Sequence, residues 1–255
     1  MLWPGVPGAT RVHGPERMKA AASRLYLLDV EGTVAPLSLV TEQLFPFARA
    51  HFSAFFTEHR SDPGVEADLV ELAEENRSET DIERPQFSIS DGWRKAVPYL
   101  LWLMDHDRKS PALKSLQGRV WKAGFESKEL QGTLFADVPA AFERWSAKGQ
   151  AAIYSSGSVA AQMLLFRHSI YGDLTPLISG YFDTRTGPKT ASASYAAIAA
   201  AMGDDPGAVL FFSDAVRELD AAREAGCQTR LVVREGNAPV EDTHEHRSIE
   251  SFAGI

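Results

Sequence analysis

The stretch LYLLDVEGTV at residues 25–34 decides the fold that this sequence predicts. Its apolar start has the length of a strand, and two carboxylates, Asp29 and Glu31, follow before a glycine and a threonine. A continuous apolar run of this kind is typical of a strand buried on both faces of a parallel sheet. Since ligands bind at the carboxyl ends of such strands, both carboxylates are expected at a binding edge. For an isolated pattern of this kind a simple turn is the alternative, because Asp and Gly clusters favour turns.

The composition narrows the classes of protein to consider. A chain of 255 residues can bury a substantial core, and a formal net charge of -8 argues against a surface that binds nucleic acid or anionic lipid. Cys227 is the only cysteine, which excludes an intrachain disulfide and favours a free, buried thiol. No apolar run approaches the ~20 residues that cross a bilayer. The expected partner is therefore a small molecule, with neither nucleic acid nor membrane.

The start of the chain and the part that follows the first strand differ from the rest in pattern. Residues 1–20 contain three prolines and several glycines without apolar periodicity, so they are expected to be a loose extension. Residues 40–132 carry apolar residues at helical spacing and predict a helical module inserted after the first strand. Within this module, Pro98 is expected to break an apolar run, and residues 76–91 are expected to form a loop. A lid is the natural use of such a module.

A second strand signal, at residues 151–154, runs directly into a serine-rich turn, Ser155-Ser156-Gly157-Ser158. Hydroxyls and backbone N–H groups ahead of a helix favour an anion, so Ser155 and Ser156 are candidates for binding phosphate. A serine helix cap without a ligand is the alternative. Lys189, at a junction between a loop and a helix, could supply a point charge for the same phosphate, although a surface lysine is the default.

A third strand signal, at residues 209–212, leads to Asp214. Carboxylates at two strand ends suit Mg²⁺, which prefers hard oxygen ligands and keeps several waters, so Asp29 and Asp214 are candidate metal ligands. Glu218, one helical turn further, could support them through a metal-bound water. His244 and His246 are interpreted as part of a solvated tail segment rather than a metal site, because their neighbours are charged.

The four loops together, in chain order a carboxylate pair, a serine turn, a lysine and a further carboxylate, resemble the haloacid dehalogenase-like superfamily. The D-x-E-G-T form of the first motif is similar to the enolase-phosphatase (acireductone synthase) family of methionine salvage. Short sequence segments, or phrases, in the helical module and in the rest of the chain show the same resemblance: residues 113–118 with Trp121, 154–158, 181–184, 187–189 and 233–237. The resemblance implies an α/β fold, with a three-layer Rossmann-like core of parallel sheet at residues 21–39 and 133–255. Residues 40–132 would be the helical cap, with Lys114, Gln117 and Trp121 as candidates for contacting the substrate.

The resemblance also implies an activity and roles for the motif residues. Mg²⁺-dependent conversion of 2,3-diketo-5-methylthiopentyl-1-phosphate to the acireductone, 1,2-dihydroxy-3-keto-5-methylthiopentene, would pass through an aspartyl-phosphate on Asp29. Glu31 would be the general acid and base, while Ser155, Ser156 and Lys189 would bind the phosphate. Mg²⁺ would be held by Asp29, by Asp214 and by the main-chain carbonyl of Glu31. A cytoplasmic monomer is implied, with the nucleus a second location in a eukaryote.

Three alternatives differ in chemistry from this expectation. A phosphatase of the same superfamily that acts on another small phosphate ester is the nearest, and the cap phrases argue against it. A metal-free dehalogenase would not need Glu31, Lys189 and Asp214 around a phosphate. A phospho-acceptor signalling domain also uses strand-end aspartates, a hydroxyl and a lysine, but it does not need a long helical lid.

Overall fold

The computed structural model of the chain describes residues 9–11, 24–240 and 245–255. By contacts, the chain divides into two units, one made of Met1–Val40 with Gln131–Ile255 and one made of Thr41–Leu130. The loose extension expected at residues 1–20 lies outside the described residues except for Ala9–Arg11, which form a short strand that the sequence did not predict. The use of the second unit as a lid stays a prediction.

One sheet forms the centre of the first unit. Its seven described strands, in chain order, are β1 (Ala9–Arg11), β2 (Arg24–Leu28), β3 (Gly149–Tyr154), β4 (Gly180–Phe182), β5 (Val209–Ser213), β6 (Gln228–Val232) and β7 (Ser248–Ile249). They lie in the order β1-β4-β3-β2-β5-β6-β7, and only β1 runs antiparallel to its neighbour. The apolar stretch of the opening motif is thus a central strand, with β3 on one side and β5 on the other.

Helices cover both faces of this sheet: α5 (Val138–Lys148), α6 (Val159–Arg167), α7 (Ser192–Met202) and α8 (Val216–Glu224). Leu25 and Leu27 of β2 belong to a buried cluster with residues of α7 and α8. Tyr26, which points to the opposite face, stacks on Trp145 of α5 with ring centroids 5.0 Å apart. Since neighbouring residues of a strand face opposite sides, β2 is buried on both faces, and the expected three-layer α/β core is confirmed.

Four helices form the second unit around an apolar cluster of their own: α1 (Phe45–His59), α2 (Pro63–Ser78), α3 (Trp93–Asp105) and α4 (Pro111–Glu126). Phe52 and Phe56, one turn apart on α1, stack with centroids 6.1 Å apart inside this cluster. A six-residue π-helical segment, Leu39–Leu44, leads into α1, and single 3₁₀ turns lie at Ile89–Asp91, Thr175–Leu177 and Pro206–Ala208. Among the described helices, none is long and apolar enough to cross a membrane.

Two local expectations for the helical module were wrong. Pro98 does not break the apolar run, because α3 continues through it from Trp93 to Asp105. A proline inside a helix removes one backbone hydrogen bond, but its neighbours Tyr99 and Leu100 are buried in the apolar cluster, and packing holds the helix together. The loop expected from residue 76 begins later, since α2 extends to Ser78.

His246 is buried rather than solvated, which corrects the expectation for the polar segment near the carboxyl end. Its Nδ1 lies 2.8 Å from the Thr229 hydroxyl, and its Nε2 lies 3.1 Å from a carboxylate oxygen of Asp220. A run of charged neighbours says little about burial here, because the partners of His246 come from β6 and α8. His244 lies outside the described residues.

Candidate active site

The predicted carboxylates and the first serine lie at the carboxyl ends of neighbouring strands. Asp29 follows β2, Ser155 follows β3 and Asp214 follows β5. Asp29 is 4% exposed, and its backbone N–H donates to the Phe212 carbonyl at 2.9 Å, which extends the ladder between β2 and β5. The strand order therefore brings together three residues that are far apart in the sequence, at the edge where open α/β sheets bind ligands.

The loop after Asp29, residues 29–35, turns tightly and is called the Asp29 loop below. The N–H of Gly32 donates to the Ala35 carbonyl at 2.8 Å, and the N–H of Ala35 donates to the Val30 carbonyl at 2.9 Å. Gly32 has φ 73°, and a Cβ at this position would lie 2.2 Å from Oδ2 of Asp214. Only glycine combines this backbone conformation with so close an approach of a carboxylate.

Lys189 lies among acidic side chains and is only 9% exposed. Its ammonium forms ion pairs with Asp29 and with Glu218, the latter at 2.7 Å. Burial alone would lower the pKa of Lys189, but the Asp29 and Glu218 carboxylates outweigh burial and raise the pKa above its ordinary value. Lys189 is therefore a buried cation rather than a surface lysine.

Tyrosine hydroxyls hold the loop that carries Lys189. Tyr154, the last residue of β3, donates its hydroxyl to the Gly187 carbonyl at 2.8 Å. Tyr195 of α7 donates to the carbonyl of Lys189 itself at 2.7 Å. Both tyrosines are fully buried and their rings contact edge to face, so the lysine is delivered by a rigid support.

Glu31 is partly buried beside Asp29 and accepts a hydrogen bond from the Ser155 hydroxyl at 3.2 Å. Burial, and then the negative charge of Asp29, raises the pKa of Glu31 above the ordinary value of a glutamate. A raised pKa brings a carboxyl group closer to the pH range in which it can both donate and accept a proton. This is the property that an acid and base at this position needs.

The serine turn has one buried and one exposed hydroxyl. Ser155 is 1% exposed, and its Oγ also accepts from the N–H of Gly157 at 3.0 Å. Ser156 is exposed, and Ser158 caps α6 by accepting from the N–H of Ala161 at 3.3 Å. The helix cap that served as the alternative interpretation is therefore present, but it is made by Ser158, and Ser155 and Ser156 precede it.

The candidate ligands at this edge of the sheet suit a magnesium ion that is held by a few protein groups and by water. Burial, followed by the charges of Asp29 and Glu218, raises the pKa of Asp214 to about 6. Carboxylates that disfavour each other's charge in this way gain from a cation between them. The described residues contain no group of three or more His, Cys, Asp or Glu side chains placed to hold a metal. The predicted ligands, two carboxylates and a main-chain carbonyl, would be a smaller set, which suits an ion that keeps several waters.

Two side chains of the loop after β6 contact the Asp29 loop and were given no role from the sequence. The amide of Asn237 donates to the Gly32 carbonyl at 2.9 Å, and Arg234 donates to the Thr33 carbonyl at 3.3 Å. Both belong to the phrase at residues 233–237 that resembles the enolase-phosphatase family, which was the only signal for them. Thr33 is buried and its hydroxyl has no hydrogen-bond partner among the described residues.

The three substrate-contact candidates of the second unit all lie on α4 and differ in exposure. Lys114 is exposed and Gln117 is buried. Trp121 donates its indole N–H to the Leu44 carbonyl at 2.8 Å and stacks on Phe45 at 6.4 Å. Trp121 therefore has a structural role within this unit, and a role in substrate binding stays a prediction.

The fold and the site are those of one class of hydrolase, and comparison of the sequence with known families gives the same class. The family model for haloacid dehalogenase-like hydrolases matches residues 24–226. A parallel sheet with an aspartate at the end of a central strand, and with a lysine and a second carboxylate beside it, is what the sequence motifs had indicated. The expected superfamily is confirmed.

Curated relatives narrow the class further. An enolase-phosphatase E1 of Synechococcus elongatus is 55% identical over 216 residues, covering 84% of this chain and 90% of that protein. Another, from Leptospira borgpetersenii, is 44% identical over 229 residues, covering 89% of this chain and 96% of that protein. The crystal structure of the UTR4 protein of Saccharomyces cerevisiae has a TM-score of 0.76 and 36% identity, with coverage of 91% of this chain and 100% of that chain. The chain belongs to the enolase-phosphatase E1 family of the haloacid dehalogenase-like hydrolases.

Proposed function

We propose that this chain is a Mg²⁺-dependent enolase-phosphatase that converts 2,3-diketo-5-methylthiopentyl-1-phosphate to 1,2-dihydroxy-3-keto-5-methylthiopentene, the acireductone of methionine salvage. The observation that carries the proposal is the arrangement of Asp29 at the end of a central strand, with Lys189 in contact and Asp214 directly after the adjacent strand. The family supplies the reaction, and the site supplies a nucleophile, a fixed cation and a candidate metal ligand for it.

Asp29 is proposed as the nucleophile. One of its oxygens attacks phosphorus, the bond from phosphorus to the substrate oxygen breaks, and an aspartyl-phosphate forms. Water then attacks the same phosphorus and releases inorganic phosphate and free Asp29. Lys189, which is held against Asp29 in the described structure, would bind phosphate oxygens during both steps together with Ser155 and Ser156.

Glu31 is proposed as the proton carrier of these steps. Its raised pKa allows it to protonate the leaving oxygen and then to accept a proton from the attacking water. The hydrogen bond from Ser155 orients one of its oxygens. Glu31 is also our candidate for the group that abstracts the proton during enolisation.

Magnesium would be held by the carboxylates of Asp29 and Asp214 and by the main-chain carbonyl of Glu31. When bound, it offsets the repulsion between the carboxylate nucleophile and the phosphate. Glu218, paired with Lys189 and accepting from the Ser213 hydroxyl at 2.9 Å, would keep the lysine in place.

The direct test is a stopped-flow ultraviolet trace with the diketo phosphate ester, recorded with phosphate release, with and without Mg²⁺. An absorbance rise from the enol, followed by Mg²⁺-dependent release of phosphate, is expected. Phosphate release from many esters without an enol signal would support the second candidate, a phosphatase of the same superfamily that acts on another small ester. Metal-independent turnover would contradict the Mg²⁺ dependence.

Substituting Glu31→Asp is expected to separate the two steps. The shorter side chain keeps a carboxyl group near the leaving oxygen but changes its reach, so phosphate release should retain some activity while enolisation slows by about tenfold or more. Single-turnover measurements of both signals test this. Glu143→Asp, on the exposed side of α5, is the control and should leave both steps unchanged. Equal losses in both steps would argue against a special role for Glu31 in enolisation.

The molecular context of the activity follows the family as well. We propose that the protein acts as a monomer in the cytoplasm on a small phosphate ester, without nucleic acid or membrane as a partner. Light scattering coupled to size-exclusion chromatography tests the monomer, and a mass of twice 27.9 kDa would contradict it.

A further inference from the structure

The orientation of the Asn237 side-chain amide is fixed by two carbonyl groups. Its Nδ2 lies 2.9 Å from the carbonyl oxygen of Gly32 and 3.4 Å from that of Val232. A carbonyl oxygen can only accept a hydrogen bond, so the nitrogen must face these two groups and the oxygen must face away from them. Asn237 therefore binds the Asp29 loop through its nitrogen.

The amide oxygen of Asn237 is buried and has no hydrogen-bond donor among the described residues. It lies 3.0 Å from the position that a Cβ on Gly32 would take, and Oδ2 of Asp214 lies 2.2 Å from the same position. Both oxygens therefore face the same side of Gly32. The Asn237 oxygen needs a donor near it, because an unsatisfied buried acceptor costs about 1–3 kcal/mol, and the partly buried Asp214 carboxylate on the same side of Gly32 attracts a cation.

Arg234 keeps the loop after β6 in place, so Asn237 is not free to turn its oxygen elsewhere. The guanidinium pairs with Asp137 at 3.0 Å, its side chain is 7% exposed, and it donates to the Thr33 carbonyl. The backbone N–H of Asn237 in turn donates to the Arg234 carbonyl at 3.1 Å. The position of the unpartnered oxygen is thus imposed by its surroundings.

We propose that Asn237 is a positioning residue of the magnesium site. Its Nδ2 holds the Gly32 carbonyl and thereby the Asp29 loop, and its Oδ1 accepts a hydrogen bond from a water in the hydration shell of the ion at Asp214. Magnesium keeps several of its waters when it binds to proteins, and each of them is a hydrogen-bond donor. A partner of this kind orients a metal site without touching the ion. This inference rests on the Mg²⁺ dependence proposed above.

Isothermal titration of Mg²⁺ into the substrate-free protein tests the proposal through binding rather than turnover. Asn237→Ala removes the Nδ2 contact with the Gly32 carbonyl and the proposed Oδ1 contact with the metal-bound water. It is expected to weaken Mg²⁺ binding by about tenfold or more. Asn237→Asp keeps an oxygen beside Asp214 but loses the nitrogen donor, so it should bind Mg²⁺ at least as tightly as the wild type while unfolding at a lower temperature without metal.

Asn76→Ala is the matched control. Asn76 is buried, donates through Nδ2 to the Pro85 carbonyl at 2.8 Å and accepts through Oδ1 from the N–H of Phe87 at 3.1 Å, all within the helical unit. Its replacement should lower the unfolding temperature without changing Mg²⁺ affinity.

Three outcomes overturn the proposal. If Asn237→Ala binds Mg²⁺ within about twofold of the wild type, the amide has no part in the metal site. If the Ala and Asp variants weaken binding equally, the nitrogen contact alone matters and the role of the oxygen is refuted. If the wild type itself does not bind Mg²⁺, both this inference and the metal dependence of the proposed function are refuted. The first two outcomes refute this inference alone.

Discussion

At the scale of single residues, Gly32 meets two independent restrictions. Its φ of 73° lies in the left-handed region, and a Cβ would come within 2.2 Å of an Asp214 oxygen. The first restriction costs about 1–2 kcal/mol for any other residue. The second one can be relieved only by moving Asp214 or the Asp29 loop.

Gly32→Ala is therefore expected to lower kcat by about a hundredfold, because displacing a reacting group by about 1 Å costs that much. Steady-state phosphate release at saturating Mg²⁺ measures it.

Gly203→Ala is the control that separates the effect of backbone strain from the effect of a steric clash between a new Cβ and a neighbouring side chain. Gly203 ends α7 with φ 80°, but a Cβ there meets nothing within 4 Å. It should cost about 1 kcal/mol of stability and leave kcat unchanged. Equal effects of the two substitutions on kcat would show that the close approach to Asp214 is unimportant.

At the scale of elements, Asp137 ties three segments together at the start of α5. It pairs with Arg234 from the loop after β6, and its Oδ2 accepts from the N–H of Phe252 at 2.7 Å and from the Ser251 hydroxyl at 2.9 Å. Burial alone would raise the pKa of Asp137, but Arg234 and the Phe252 amide outweigh burial and hold the pKa below its ordinary value. Asp137 is thus more stable as a carboxylate in the folded protein.

Asp137→Asn should destabilise the protein by about 3 kcal/mol at pH 7, because it leaves the Arg234 cation buried without its counter-charge. A group with a depressed folded pKa stabilises above its unfolded pKa, near 4 for aspartate, and loses this effect as the pH falls through the folded pKa. The difference between wild type and variant should therefore shrink below about pH 4. Urea unfolding at pH 7 and at pH 3.5 tests this.

Asp105→Asn is the control for an exposed pair. Asp105 pairs with Arg49 at 2.6 Å, but the two side chains are 53% and 45% exposed. Solvent screens such a pair, so the substitution should change stability little at either pH. A loss as large as that of Asp137→Asn would contradict the importance given to burial.

At the scale of the whole molecule, the two units each have an apolar cluster, and these clusters share no residues. Leu116 of α4 and Leu219 of α8 are both completely buried, one in each cluster. The units are therefore expected to open independently of one another, as cooperative segments of a protein do.

Leu116→Ala and Leu219→Ala form a matched pair, each expected to cost about 2–5 kcal/mol within its own unit. Hydrogen exchange followed by mass spectrometry should show faster exchange at residues 41–130 for the first variant and in the first unit for the second. Faster exchange across the entire chain in both variants would mean that the two units unfold as one.

The sequence by itself determined the buried strand at residues 25–28, the carboxylate at its end and the order of the motif loops. These features are local, since a few neighbouring residues are enough to specify an apolar run, a turn or a helix cap. It also indicated the parallel sheet, because a continuous apolar run is typical of a strand that is buried on both faces of such a sheet.

The tertiary structure alone decided which distant groups meet. Gly32 and Asn237 are 205 positions apart, and the burial of His246 depends on Thr229 and Asp220 in other elements. The continuity of α3 through Pro98 is of the same kind, because the packing of its neighbours offsets the lost hydrogen bond. The hydrophobic periodicity of a sequence shows which face of a helix or strand is buried. It does not show which other element packs against that face, so these contacts are known only from the folded structure.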